Sequence, residues 1–304
     1  MAICTPAHPF DNIKINSYRE NIMFARLSRS WTLVKASASV LQQDKELLWF
    51  PLISTAALVV VMACFALPIF GLAAIDGLER ADGSTPPLVY VIAFLFYFVQ
   101  YSVIFFFNTA LVGAAMIRLG GGDPTFSDGM KIATSKIVTI LGYAFIAATV
   151  GMILRVIQER VGFVGKIIVG MLGVGWSIAT FLVVPVLAAR DVGPINAIKE
   201  SATLLKDTWG ENVIGQAGMG LVFGLILMAV ILCGIVLIGL SAMTQSLALI
   251  AMAVVVTVLA VGITVLIQAA LAGIYSAALY RYATDGKGST GFDADTLKLA
   301  FAPK

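Results

Sequence analysis

Every Asp, Glu, Lys and Arg of this 304-residue chain lies outside six apolar runs, at approximately 50–75, 88–117, 137–154, 167–189, 212–240 and 246–280. A charge at the centre of a bilayer costs about 2.5–3.5 kcal/mol on insertion scales, and about 20 apolar residues cross about 30 Å of hydrocarbon. Each run reaches or approaches that length, so the pattern predicts six transmembrane helices in an all-α polytopic membrane protein. Composition agrees, with 60% hydrophobic and 12% charged residues, against roughly 45–50% and about 25% in soluble domains. A β-barrel would need alternating segments of about ten residues, and Val254–Val255–Val256 and Phe105–Phe106–Phe107 do not alternate. The first run begins near residue 50 and exceeds the roughly 7–15 apolar residues of a secretory leader, so no cleaved leader is expected.

Basic residues in short loops are retained on the cytoplasmic side. Alternating across the spans puts 16 of the 20 Lys and Arg on the side of the termini and leaves only Arg80, Arg155, Arg160 and Lys166 on the other. Both termini are therefore expected in the cytoplasm. The net charge of +3 reads as this orientation signal. A nucleic-acid surface would need the basic residues gathered on one soluble domain, and none is expected. Cys4 falls on the cytoplasmic side and Cys64 and Cys233 inside apolar runs, so no disulfide framework is indicated.

The segments before spans 1, 3 and 5 share a register. Trp31, Val34, Ala38 and Leu41 recur at the spacing of one helical face, and Ile195, Ile198, Ala202 and Leu205 repeat it. Lys35 matches Lys199, Ser37 matches Ser201 and Ser39 matches Thr203, all 164 positions apart. Met130, Thr134 and Ile137 align on Ile198, Ala202 and Leu205, with Lys131 on Lys199. Asp123–Pro124 and Gly193–Pro194 carry helix-start chemistry. The expected unit is an amphipathic elbow helix followed by a transmembrane hairpin, repeated over about 24–117, 124–189 and 194–282. Residues 1–23 form a cytoplasmic extension and 283–304 a cytoplasmic tail. The elbows would lie in the membrane interface, apolar face toward acyl chains, with Lys35, Lys131 and Lys199 meeting lipid headgroups. Spans 2 and 6 exceed what a bilayer needs and must tilt, bend or protrude.

Ionisable groups inside spans mark ion-coupled transport, and the runs hold none. Arg155 and Glu159, four residues apart, read as an interfacial ion pair. Among intramembrane polar residues, Gln216 and Gln245 lie near the ends of span 5. Thr257, Thr264 and Gln268 form a stripe that most simply bonds neighbouring helices; a solute cavity, if built, would use Gln100, Asn108 and Gln268. The pairs Gly220/Gly224 and Ala269/Gly273 permit close helix approach, by default within the chain and alternatively in a homo-oligomer. Pro68 and Pro185 lie toward span ends, where a lost backbone bond is readily replaced. His8 is the one histidine, so no metal site is expected, and no nucleophile has a base beside it, so no catalytic residue and no cofactor are assigned. Asp285–Gly286–Lys287–Gly288–Ser289–Thr290 lacks the spacing of a phosphate loop.

Ser28–Arg29–Ser30–Trp31 with Lys35–Ala36–Ser37, Asp44–Lys45–Glu46–Leu47–Leu48 before Phe50–Pro51, Phe107–Asn108–Thr109–Ala110, Gly121–Gly122–Asp123–Pro124, Val184–Pro185–Val186–Leu187, Gly193–Pro194 and Lys206–Asp207–Thr208–Trp209–Gly210–Glu211 together resemble an uncharacterised family of bacterial multi-span membrane proteins, known only as a domain of unknown function. The resemblance covers roughly 24–282. It implies a bacterial cytoplasmic (inner) membrane location and supplies no reaction, ligand or functional residue. The expected role is that of a non-enzymatic accessory, scaffold or lipid-interacting component, with the phospholipid bilayer and a membrane or cytoplasmic protein as partners. The alternative is a transporter or channel for a small neutral or lipidic solute.

Overall fold

A computed structural model describes residues 31–74, 87–209, 217–286 and 292. The expected extension 1–23, most of the connector 76–87, Cys4, His8, Gln216 and the tail beyond 286, apart from Phe292, lie outside the described residues. Residues 31–43 are helical (α1) and a 3-10 turn follows at Lys45–Leu48. Then come α2 (Trp49–Ala74), α3 (Pro87–Leu119), α4 (Phe126–Ser135), α5 (Ile137–Arg160), α6 (Phe163–Ala179), α7 (Val183–Ala189), α8 (Pro194–Trp209), α9 (Ala217–Met243) and α10 (Leu247–Asp285). Six stretches are long and apolar enough to span a membrane: Lys45–Leu67, Leu88–Leu119, Ile137–Arg160, Phe163–Ala189, Val222–Met243 and Leu247–Asp285.

A helix precedes each of spans 1, 3 and 5, including residues 126–135 before span 3. That helix starts two residues later than Asp123–Pro124 suggests. Thr125 is its N-cap, in a reciprocal capping box with Asp128, which satisfies two of the first-turn amides. Pro124 is buried ahead of it. Pro194 does open α8, as the Gly193–Pro194 pair predicts. Two of the long helices, α3 and α10, end at a left-handed glycine. Gly121 (φ 86°) follows α3 and Gly286 (φ 66°) caps α10, its N–H donating to Tyr282 C=O.

Lipid removes the hydrophobic drive between helices, so close packing of small residues must hold the spans together. The core follows that rule. Ala110, Ala114 and Ala115 of α3 and Ala270, Ala277 and Ala278 of α10 are buried, with Val183, Val186 and Leu187 of α7 beside them. Gly273 lets α10 close on α3, where an added Cβ would stand 2.5 Å from the Leu111 side chain. Gly234 does the same between α9 and α10 at Thr257, at 2.2 Å. The Gly220/Gly224 pair makes no such contact among the described residues, where a Cβ at either position would meet nothing within 4 Å. Aromatic rings join α3 to α5, with Phe105 4.4 Å from Tyr143 and Phe94 5.4 Å from Phe145. Cys64 and Cys233 are free thiols.

Burial is concentrated at the end of the bundle where the three short helices sit, here termed the elbow end. Toward the other end α6, α9 and the first half of α10 carry mostly exposed apolar side chains, as lipid-facing helices do.

Candidate functional site

Each of the short helices before spans 1, 3 and 5 has a small residue fully buried against the bundle. Ser37, Ala133 and Ser201 are each 0% exposed. One turn earlier Leu33, Gly129 and Ala197 are buried, and one turn later Leu41 and Leu205. Small side chains at the point of closest approach let each elbow press onto the bundle. At Gly129 an added Cβ would lie 2.5 Å from the Phe50 ring and 2.7 Å from the Ala110 carbonyl oxygen. The apolar faces expected to meet acyl chains are thus directed mainly against protein. Trp31 and Ile195, at equivalent positions, remain outward at 45% and 60% exposure.

Two residues before each fully buried position stands a lysine, and about 100° per residue turns it roughly 160° away from the seat. Lys35, Lys131 and Lys199 are all exposed. Lys35 Nζ lies 5.8 Å from the Trp31 ring centroid. Lys131 Nζ is 3.4 Å from Asp128 Oδ1, an exposed pair of small worth. Hydrogen bonds from the Thr125 hydroxyl and N–H, then Lys131, hold the Asp128 carboxyl below its usual range. Lys199 forms no ion pair with a described residue.

Four other basic groups at this end are engaged within the bundle, whereas Lys45 and Lys206 are exposed. Arg118 bonds the Gly122 carbonyl at 3.3 Å and Asp123 at 3.2 Å, and Lys136 pairs with Asp191. Arg190 pairs with Glu200 at 2.9 Å and donates to the Tyr280 hydroxyl at 3.1 Å. Arg281 donates to the Met116 carbonyl at 3.2 Å. Glu46 accepts the Phe126 N–H at 2.8 Å, so the turn before α2 completes the start of α4, and the Phe50 and Phe126 rings stack at 4.8 Å. Asp44 caps its own turn through the Glu46 N–H at 3.2 Å and is 7% exposed, with Oδ2 unpartnered. Burial pushes its carboxyl above the usual range, opposed by the Glu46 N–H and Arg118.

The polar residues predicted within spans separate into two groups. Spans 2 and 6 run parallel and touch at Leu111 and Gly273. At 1.5 Å per residue, Asn108 and Gln268 lie about 4.5 and 7.5 Å from that contact on the same side, hence at neighbouring depth, while Gln100 stands about 12 Å beyond Asn108. All three are half-buried, and none of the three side chains hydrogen-bonds a described residue. Thr257 and Thr264 turn back onto their own helix, each 2.8 Å from a carbonyl four residues earlier. Hydrogen-bonded helix glue therefore does not describe this set. Arg155 pairs with Glu159 at 3.1 Å as expected and also donates to the Tyr97 hydroxyl. Gln245 sits in the turn between α9 and α10 at φ 53°. Among the described residues no group of three His, Cys, Asp or Glu could hold a metal ion.

Sequence reasoning missed an interruption in span 4. The helix stops at Ala179 and resumes at Val183. Pro185 supplies the cause, since it has no N–H for the Phe181 carbonyl and its ring crowds that group. Ser201 of α8 bridges the gap, donating to the Ala179 carbonyl at 2.8 Å and accepting the Leu182 N–H at 3.0 Å. Pro185 four residues after Phe181 was the available signal, and its position near the end of the apolar run concealed it.

Residues 88–292, which are 205 of the 304, match a sequence family described as "Family of unknown function (DUF6159)". The match spans α3 to Phe292. No curated protein matches the chain.

Proposed function

The chain belongs to this family of unknown function, and from that premise we propose that it is a non-enzymatic, lipid-interacting scaffold of a bacterial cytoplasmic membrane, with both termini and the elbow end in the cytoplasm. One observation carries the reading: Lys35, Lys131 and Lys199 occupy one register on three separately seated helices, all exposed, while Arg118, Lys136, Arg190 and Arg281 are occupied within the bundle. Exposed lysines beside an anionic leaflet are each attracted by about 1 kcal/mol, so three would favour phosphatidylglycerol or cardiolipin around the elbows. Trp31 and Ile195 would enter the headgroup boundary beside them.

The test is lipid retention. Protein extracted into native nanodiscs should carry an excess of anionic over zwitterionic lipid. Replacing the three lysines by Glu should abolish that excess, while replacing Arg155, at the other end, should not. An unchanged lipid ratio in the triple variant would overturn the proposal.

The interrupted span 4 favours a second reading, a transporter or channel for a small neutral or lipidic solute, because broken helices commonly line transport pathways. Gln100, Asn108 and Gln268, without hydrogen-bond partners among the described residues, would face the solute. Lipid scrambling or solute flux in proteoliposomes, lost on replacing these three by Leu, would support it.

A further inference from the structure

The two pieces of span 4 are held very differently. On α7, Val183, Pro185, Val186 and Leu187 are buried. Arg190 at its end is tied to Glu200 and Tyr280, Asp191 to Lys136, and Leu182 at its start to Ser201. Residues 200 and 201 of α8 therefore clamp both ends of α7, which makes the pair one block set into the elbow-end core. On α6, only Val169 is buried. Phe163, Val164, Met171 and Leu172 are 59–80% exposed, and Gly170 and Gly175 have nothing within 4 Å of an added Cβ. The connection is a turn of short-range bonds, Phe181 N–H to Ile178 C=O and Val183 N–H to Thr180 C=O, both 3.1 Å. A segment with few buried contacts, joined to a well-packed one through a break in the backbone ladder, is the kind of element that moves as a unit.

We propose that Thr180–Leu182 is a hinge about which α6 swings within the membrane while α7 and α8 stay fixed, and that the Ser201 hydroxyl is its latch. Ser201 bonds both sides of the turn, so a swing of α6 breaks its bond to Ala179 and leaves the one to Leu182 intact. The device belongs to the third elbow. Ser37 at the equivalent position bonds the Leu33 carbonyl of its own helix at 3.1 Å, and Ala133 has no hydroxyl. The inference is independent of the lipid reading, since none of Lys35, Lys131 and Lys199 enters it.

Pulsed electron–electron spin-label distances in nanodiscs test it, with Cys4, Cys64 and Cys233 replaced by Ser. One label pair joins Leu172 on α6 to Leu95 on α3, and a second joins Ala189 on α7 to Leu95. The α6 pair should show a broad or two-component distribution and the α7 pair a single narrow one. Ser201→Ala should shift the α6 pair toward its second component and leave the α7 pair unchanged. Pro185→Ala, which restores the backbone donor and lets the helix run through, should collapse the α6 pair to one component. A single narrow α6 distribution that neither substitution alters would overturn the hinge, and so would broadening of the α7 pair together with α6. Should Ser201→Ala fail to fold, the comparison of the unsubstituted protein with Pro185→Ala decides the same question.

Discussion

Gly129 offers a sharp test of how the elbows are seated. It lies in α4 against Phe50 and α3, where an alanine Cβ would be placed 2.5 Å from Phe50 Cζ, 2.9 Å from Phe50 Cε1 and 2.7 Å from the Ala110 carbonyl oxygen. Real Cβ atoms do not approach that closely, so something must move. The Phe50 ring is 1% exposed and stacked on Phe126, and the other obstacle is span backbone, so neither yields easily. Alanine gains about 1 kcal/mol over glycine in a helix interior, whereas overpacking a filled site costs about 1–3 kcal/mol; the backbone clash favours the upper half, for a net loss of about 1–2 kcal/mol. Gly224→Ala is the matched control. Its Cβ meets nothing within 4 Å among the described residues, so only the helix gain of up to about 1 kcal/mol applies. Denaturation in mixed micelles, followed by circular dichroism, should move the two variants in opposite directions. If Gly129→Ala proved as stable as Gly224→Ala, the small-residue seat would not be the tight contact described.

Two further outcomes follow from the elbow end. Burial raises the Asp44 carboxyl, so its favourable contribution is complete below the unfolded value of about 3.9 and is lost as pH rises through the raised folded value. Thermal unfolding from pH 4 upward should show that decline, and Asp44→Asn, which keeps the cap oxygen, should remove this component of the slope. Phe292 is 1% exposed in the elbow-end core; Phe292→Ala should cost about 3–5 kcal/mol, and an unchanged melting temperature would show that the ring is not part of that core.

The six spans could be read directly because each charge-free run is long enough to dictate its own environment. At the elbows, Ser37 and Ser201, matched 164 positions apart in the sequence, are both fully buried. Which face points inward was less accessible. The apolar stripe through Trp31, Val34, Ala38 and Leu41 is centred about a third of a turn from Leu33, Ser37 and Val40, and of the stripe only Val34 and Leu41 are buried. Hydrophobicity marks what can be buried, but the point of closest approach is selected by small size, and Ser37, Ala133 and Ser201 carry little hydrophobic signal. The Glu46 cap on α4 was hidden because its partner Phe126 is 80 residues away; the interruption at Thr180–Leu182 had a local signal in Pro185, masked by its place near the end of an apolar run.

The change from exposed to buried along α3 and α10 has a further consequence for where the lipid ends. Residues 88–108 of α3 are exposed or half-buried, and burial begins at Thr109; in α10 the corresponding change comes at Ala270. The stretches 88–108 and 247–269 would measure about 32 and 35 Å at 1.5 Å per residue, close to the roughly 30 Å thickness of hydrocarbon. The surplus length of these two helices is therefore sheathed in protein by α1, α4, α7 and α8, which relieves hydrophobic mismatch without steep tilting. On that accounting the bundle stands on the bilayer with a proteinaceous collar at one surface. Asn108 and Gln268 lie at the collar's lower rim, and Gln100 is left as a polar group well inside the hydrocarbon.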